Sequence, residues 1–390
     1  MERQTELQLI DELLALKQEE QHFLDATVAR NPIDLYLSED RFAAEREKIF
    51  ARTPMIAAHG SELASAGDFL RCDIAGRPVL LTRDKDGAVH AFLNVCRHRG
   101  TRLVDDMSGC KHRFSCPYHG WTYANTGELI AAPHFDSGFD GVDKSTLGLK
   151  QLPCVERFGF IWVSLEGTAS IDASFAALAP ELEALQMQDM VIAHQDTHTH
   201  KANWKIIVEG GIEAYHFKVA HKTTIGPYFE DNMSSYRMFG QHMRSILMRN
   251  SMSRLTPETR DSWRLRDHAQ VLYTLFPTSS LLVQADHIAW IHSEPLSPDT
   301  TRIRLATLVP KAEADKTSHW QTNHMITKTT LDEDFAIGES IQANLASGAN
   351  DTMLFGRFEG ALDAFNQTVN AMLDDGLDDR FEDRFENKPV

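Results

Sequence analysis

Two short stretches of the chain bring thiols and imidazoles together: "CRH" at Cys96–His98 and "CPYH" at Cys116–His119. Each supplies one Cys and one His, and each runs into a glycine, Gly100 or Gly120, that permits a tight backbone turn. Strand-like flanks, "HAFLNV" before the first and "HRFS" before the second, would hold the pairs as two fingertips over one site. A structural zinc site also takes two Cys and two His, but its common spacings group the cysteines in one pair and the histidines in the other. Two mixed pairs suit a [2Fe-2S] centre with thiolates on one iron and imidazoles on the other, which moves electrons singly. The other cysteines, Cys72, Cys110 and Cys154, match no ligand spacing and read as ordinary thiols.

A one-electron centre cannot by itself attack a carbon atom, and the stretch "NWKIIVEGGIEAYHFKVAH", Asn203–His221, offers a consumer. His216 and His221 are five apart; at ~100° per residue a straight helix would splay them by about 140°. Both reach one metal only if the helix ends or distorts between them, as a loop over "FKVA" would allow. Two imidazoles completed by a carboxylate make the 2-His-1-carboxylate set of oxygen-activating Fe(II) enzymes. In "TTLDEDFAIGESIQANL" the helical face of Leu331, Asp334, Gly338 or Ile337, Ile341 and Leu345 is apolar except for Asp334. A carboxylate on a buried stripe is costly unless paired or metal-bound. Asp332 and Glu333 fall off that face and read as solvated. Glu213, one helical turn before His216, is expected to share its face.

Holding these groups takes two kinds of scaffold. From Met55 to Leu165, short runs such as "PVLLTR" and "GFIWVSLEG" between turn residues predict a small antiparallel β domain, with a hairpin turn at Arg83–Gly87. Beyond it, helix-compatible "PELEALQMQDM", three strands within Leu272–Pro310 and a helix from Thr317 predict a larger α+β domain. Residues 4–29 carry helical spacing, and the end of the chain from Leu373 is charge-rich enough to be a loose tail. The expected division is an N-terminal helical segment over 1–40, a cluster-binding domain over 41–165 and a catalytic domain over 166–390. With 39 Lys plus Arg against 56 Asp plus Glu, the net charge of -17 argues against nucleic-acid and anionic-membrane partners. No apolar run reaches the ~18 to 20 residues of a membrane span, and the acidic start is unlike a signal peptide, so a cytoplasmic location is expected. Five sparse cysteines fit a metal site in that compartment better than a disulfide framework.

"NVCRHRG" followed by "CPYHGWTY" resembles the motif of the Rieske non-heme iron oxygenases, the family of ring-hydroxylating dioxygenase alpha (catalytic) subunits. The resemblance runs over roughly residues 35–350. It implies an antiparallel β Rieske domain and a helix-grip (START-like) catalytic domain around a central antiparallel sheet, an α+β fold. It implies that Cys96 and Cys116 hold the inner iron and His98 and His119 the outer, and that His216, His221 and Asp334 hold a mononuclear Fe(II) that works with O2. "E-A-Y-H-x4-H" and "E-D-x4-E-x2-Q" (Glu333, Asp334, Glu339, Gln342) are similar to the branch of carnitine and choline monooxygenases. Glu213 stands where the family usually has Asp, the residue that links the Rieske His of one subunit to an iron-ligand His of the next. Tyr215, Asn203, Trp204 and Lys205 match family segments as packing support.

The activity implied is hydroxylation of an aromatic ring, or monooxygenation or N-dealkylation of a methylated ammonium compound. Electrons would come from NAD(P)H through a separate reductase, with or without a ferredoxin, since the chain has no Gly-rich dinucleotide fingerprint. The implied assembly is a homotrimer, with or without a beta subunit. Phe229, Met233, Trp290 and His292 are candidate substrate-lining residues, whose aromatics would cage a quaternary ammonium or enclose a ring. A Rieske-type electron-transfer protein with a non-catalytic second domain is the rival reading, and a zinc-stabilised binding protein a third.

Overall fold

The structure, a computed structural model, describes residues 1–374, so the expected tail lies almost wholly outside the described residues. The chain forms two compact units: Phe50–Ile171, and a larger one that joins Met1–Ile49 to the described residues from Asp172 onward.

The smaller unit consists of short antiparallel strands. Five pair in the order Gln151–Leu152, Val89–Leu93, Arg77–Arg83, Asp68–Ile74, Ser108–Cys110, and two three-stranded sheets complete it. The central strand Arg77–Arg83 carries Val79, Leu80 and Leu81, all fully buried, as a strand covered on both faces should. Its turn into Val89–Leu93 is held by Asp84, whose Oδ1 accepts from the amides of Asp86 and Ala88, both at 2.9 Å. A core of Phe69, Phe92, Phe114, Trp121 and Tyr123 encloses Cys96 and Cys116.

The larger unit is organised by a seven-stranded antiparallel sheet. Its strands are β1 (Met190–His200), β2 (Phe229–Phe239), β3 (His242–Arg249), β4 (Ala269–Leu275), β5 (Ser279–Val283), β6 (Ile288–Ser297) and β7 (Thr300–Pro310). They run in the order β1-β7-β6-β5-β4-β3-β2, a meander closed by the first strand adding to the last. The stretch Leu272–Pro310 thus holds parts of four strands, not three: Gln284–His287 makes an extra turn, the Gln284 amide donating to the His287 carbonyl at 2.9 Å. Among its helices are α1 (Arg3–Gln18), α2 (Trp204–Glu209), α3 (Phe217–Ala220), α4 (Thr317–Leu345) and α5 (Gly360–Leu373). α4 packs on the sheet and on α2 through Phe335, Ile207 and Ile303. Among the described residues no helix is long and apolar enough to cross a membrane.

The first 49 residues do not stand apart. α1 ends at Gln18, short of the expected residue 29, and buries Leu9, Ile10 and Leu13. Ala29–Pro32 pairs antiparallel with Thr352–Phe355. Glu45, fully buried, accepts from Lys205 Nζ at 2.6 Å and Trp204 Nε1 at 2.8 Å, both on α2. A buried ammonium without such a partner would be untenable, so this pair ties the N-terminal segment to the helix that leads into His216.

Candidate functional site

In the smaller unit the two Cys-His loops are one turn built twice. The Cys96 amide donates to the Thr101 carbonyl at 2.8 Å and the Gly100 amide to the Cys96 carbonyl at 3.0 Å; the Cys116 amide donates to Trp121 at 2.7 Å and the Gly120 amide to Cys116 at 3.0 Å. Gly100 and Gly120 take φ +81° and +69°, the left-handed region that glycine adopts without strain. The turns bring His98 Nδ1 and His119 Nδ1 to 3.1 Å. Trp121 stacks on His98 at 4.8 Å and 12°. Behind them Cys96 and Cys116 are 2% and 4% exposed, while His119 lies open at the surface. Tyr123 Oη lies 3.4 Å from Cys96 Sγ and accepts from the Arg97 amide at 3.0 Å. Burial pushes the Cys96 thiol up. Two buried sulfurs behind two facing imidazoles fit a cluster with a thiolate end and an imidazole end. Cys110 is exposed and, with Cys72 and Cys154, stands outside this group.

In the larger unit His216, His221 and Asp334 offer one ligand atom each within 4.8 Å of one another. His216 Nε2 and His221 Nε2 are 3.2 Å apart, and Asp334 Oδ1 lies 3.4 Å from the first and 2.8 Å from the second. Metal–ligand bonds of about 2.1 Å at right angles put donor atoms about 3.0 Å apart, so the three atoms fit one face of a single divalent cation. "FKVA" is a helical turn rather than a loop; the two histidines stand at its ends, His216 as N-cap and His221 as C-cap. That short helix is anchored by Phe217, which packs with Ala214, Phe229 and Leu247.

Both imidazoles are oriented from behind. Glu213 is not helical but lies in the link between α2 and α3, where its carboxylate accepts from His216 Nδ1 and from the Tyr215 amide. Glu333, expected to be solvated, accepts from His221 Nδ1 at 2.6 Å and from Thr224 Oγ1 at 2.6 Å. With both Nδ1 atoms donating, the Nε2 lone pairs point at the common centre. Burial opposes protonation of His216, but Asp334 and Glu213 outweigh it and push the group up to about 10; a metal cation would take the proton's place between the same acceptors.

The motif "E-D-x4-E-x2-Q" is thereby explained residue by residue. Glu333 and Asp334 meet the histidines. Glu339 Oε1 accepts from the Lys201 amide at 3.1 Å, and Gln342 Oε1 accepts from the Asn203 amide at 2.8 Å. Asn203 in turn caps α2 through the Lys205 amide. Gly338 lets α4 approach α2, since a Cβ there would sit 3.3 Å from Ile206 Cγ2.

Beside the triad opens a cavity of about 630 Å³. Glu209, Glu213, His216, Asp334 and Glu359 line it together with apolar residues that include Ile337, Ile341 and Leu354. From Leu331 onward the buried positions of α4 are Phe335, Gly338, Gln342 and Leu345, so Ile337 and Ile341 face this opening instead of the core stripe assigned to them. None of Phe229, Met233, Trp290 and His292 lines it. Phe229 packs on Phe217, ring centroids 5.1 Å apart, and Met233 is buried on β2. Ile291 packs toward Phe335 and Ile207. Trp290 and His292 alternate with it along β6 and therefore point to the opposite face of the sheet, where Arg304 covers Trp290 at 4.7 Å.

Comparisons with known proteins agree with both halves. Residues 53–154 match the Rieske [2Fe-2S] domain, and residues 187–375 match the ring hydroxylating alpha subunit (catalytic domain). Over 191 residues the chain is 37% identical to the glycine betaine monooxygenase oxygenase subunit of Pseudomonas aeruginosa, covering 49% of this chain and 44% of that protein. Over 207 residues it is 34% identical to the carnitine monooxygenase oxygenase subunit of Escherichia coli, covering 52% and 53%. The chain thus spans about half the length of the curated relatives it matches. Its fold matches the quaternary ammonium Rieske monooxygenase CntA with TM-score 0.76 at 24% identity over 88% of this chain and 96% of that one. Naphthalene 1,2-dioxygenase gives TM-score 0.76 at 19% identity over 92% and 95%. With cysteines and histidines paired in one unit and two histidines and a carboxylate brought together in the other, the chain belongs to the Rieske non-heme iron oxygenases of the ring-hydroxylating alpha-subunit type, whose cofactors are a [2Fe-2S] cluster and a mononuclear iron.

Proposed function

We propose that the chain is the oxygenase component of a multicomponent Rieske system, which hydroxylates a small organic molecule with O2 and with electrons drawn from NAD(P)H by a separate reductase, directly or through a ferredoxin. In this reading Phe50–Ile171 is the cluster domain, with Cys96 and Cys116 on the inner iron and His98 and His119 on the outer. His216, His221 and Asp334 hold the mononuclear iron. The cluster, when bound, supplies single electrons and the mononuclear iron supplies the activation of O2. The buried cysteines keep the sulfur end dry, and the surface histidines are the side from which an electron leaves. Glu213 and Glu333 fix the tautomers of His216 and His221 and add basicity to the ligands. Glu213 also lines the open cavity, where a second copy's histidines could bond it; the assembly proposed, on the family resemblance, is a homotrimer with or without a beta subunit.

The observation that carries the reading is the convergence of His216 Nε2, His221 Nε2 and Asp334 Oδ1 within 3.4 Å. The substrate class is a methylated ammonium compound, on the names of the relatives at 37% and 34% identity. Aromatic hydroxylation stands second, because the chain is also 31% identical over 195 residues to the anthranilate 1,2-dioxygenase large subunit of Acinetobacter baylyi. The test is reductase-dependent O2 consumption with two panels, methylated ammonium compounds and aromatic acids. Turnover confined to the first supports the class, and turnover confined to the second reverses it. Full turnover by His216→Ala or Asp334→Ala would refute this iron site as the seat of the reaction, and no turnover on either panel with two irons per chain instead of three would leave a Rieske electron carrier.

A further inference from the structure

Glu209, the last residue of α2, takes no part in the donor sets above, yet it is only 6% exposed and lines the cavity beside Glu213, His216 and Asp334. Its Oε1 accepts from Tyr36 Oη at 2.6 Å and from Asn366 Nδ2 at 2.7 Å. Tyr36 Oη in turn accepts from Asn31 Nδ2 at 2.7 Å. Two donors far apart in the chain, Tyr36 and Asn366, therefore hold one oxygen of this carboxyl, with Asn31 steadying the first of them, leaving Oε2 as the oxygen for the cavity. The charged groups around it are Lys205 on its own helix, Asp334 on α4, Glu213 and His216 on the α2–α3 link, and Glu359 in the turn Arg357–Glu359. Lys205 Nζ bonds Glu45, and its charge offsets only part of the burial of Glu209.

Resting on the proposed oxygenase reading, we propose that Glu209 is the proton-holding group of this cavity: it carries a proton on Oε2 at rest and releases it to the cavity as electrons arrive, to be reloaded from solvent. Stoichiometry supplies the need. Either mode of oxygenation consumes two electrons and two protons for each O2: a C–H bond becomes C–OH with release of one water, or two hydroxyls are added across a double bond. NAD(P)H supplies the electrons through the reductase. The protons must enter where negative charge arrives, and Glu209 is a buried acid on that wall. Burial raises it to about 7, against the opposing hydrogen bonds of Tyr36 and Asn366 and the charge of Lys205, where a donor is both loaded and willing to give. Tyr36 is held well above its usual range by burial and by Glu209, so it stays protonated and acts as a fixed donor to Oε1.

The test uses the holoprotein with both iron centres loaded. Infrared difference spectra across about pH 5 to 9 should contain a protonated-carboxyl band that titrates near 7, is lost in Glu209→Gln and returns shifted in Glu209→Asp. With the best substrate of the two panels, Glu209→Gln should lose about a hundredfold in turnover and lose the limb of its pH profile near 7 while keeping iron content and cluster absorbance. Wild-type turnover and pH profile in Glu209→Gln overturn the proposal, as does a carboxyl band that persists in that variant or never titrates. If no substrate of either panel is oxidised by the wild type, the oxygenase reading fails, and the infrared titration alone still decides whether Glu209 holds the proton.

Discussion

Removing the Glu333 carboxylate should loosen the mononuclear iron without touching the cluster. Glu333 Oε2 takes the His221 Nδ1 proton at 2.6 Å, and His221 is wholly buried, so Glu333→Ala leaves an imidazole N–H with no acceptor in place. A hydrogen bond to a charged group is worth about 1.5–3 kcal/mol. The Glu333 side chain is 28% exposed, so water can replace part of it, and the lower half of that range applies. At ~1.4 kcal/mol per decade the expected loss is about tenfold in Fe(II) affinity, at the mild end of the effect of such supporting residues. The assay is chelator competition on the holoprotein, following mononuclear iron by metal analysis and the cluster by its visible absorbance. Thr224→Val, which removes the second donor to the same oxygen, should cost less, because the imidazole keeps its acceptor. Asp332→Asn should change nothing, since Asp332 pairs with Lys328, away from the histidines, and is 47% exposed. Glu333→Ala that retains iron at every chelator concentration the wild type survives would refute the assignment of Glu333 as the group that orients His221.

Gly226→Ala should displace His221, because a Cβ there would meet the Phe217 carbonyl at 2.5 Å and the His221 carbonyl at 2.8 Å; a loss of about 1–3 kcal/mol in thermal or denaturant unfolding and a drop in bound iron should appear together. Lys205→Met strands Glu45 in the core with Arg41 as its remaining ion-pair partner and should cost about 3 kcal/mol in denaturant unfolding, the low end for a broken buried pair. Glu209, raised from 4.5 to about 7, binds its proton more tightly folded than unfolded. Its contribution is therefore full below 4.5 and is lost as pH rises through about 7, by up to about 3 kcal/mol. Glu209→Gln should accordingly gain stability over the wild type above pH 7, read as melting temperature against pH. His292→Gln should leave the Michaelis constant for substrate unchanged, since His292 points to the face of the sheet away from α4; a large rise in that constant would place it in the substrate pocket after all.

The metal chemistry was readable in the sequence because ligand sets leave residue types at fixed spacings that no packing rule explains. A pair of Cys-x-His and Cys-x-x-His turns has little other use, and Asp334 stands out as an acid among Leu331, Gly338 and Leu345. Glu333 was not readable, because helical periodicity measures burial against a core while the iron site lies on the flank of α4, where half-buried polar residues do the work. Trp290 and His292 escaped for a different reason. In β6 Ile288, Ala289 and Trp290 are all buried, so no alternation of polar and apolar residues marks which face is which. The attachment of residues 1–49 rests on contacts with residues far along the chain, such as Glu45 with Lys205, and no local pattern announces them.

That attachment makes the cluster domain an insertion. The polypeptide starts one globule, leaves it at Ile49, completes another by Ile171, and only then returns to finish the first. During synthesis the strand Ala29–Pro32 must wait for Thr352–Phe355, more than three hundred residues later, so the inserted domain can be folded before the iron-binding half has its full set of parts. Topology thus permits the inserted unit to reach its fold while the unit that surrounds it is still incomplete.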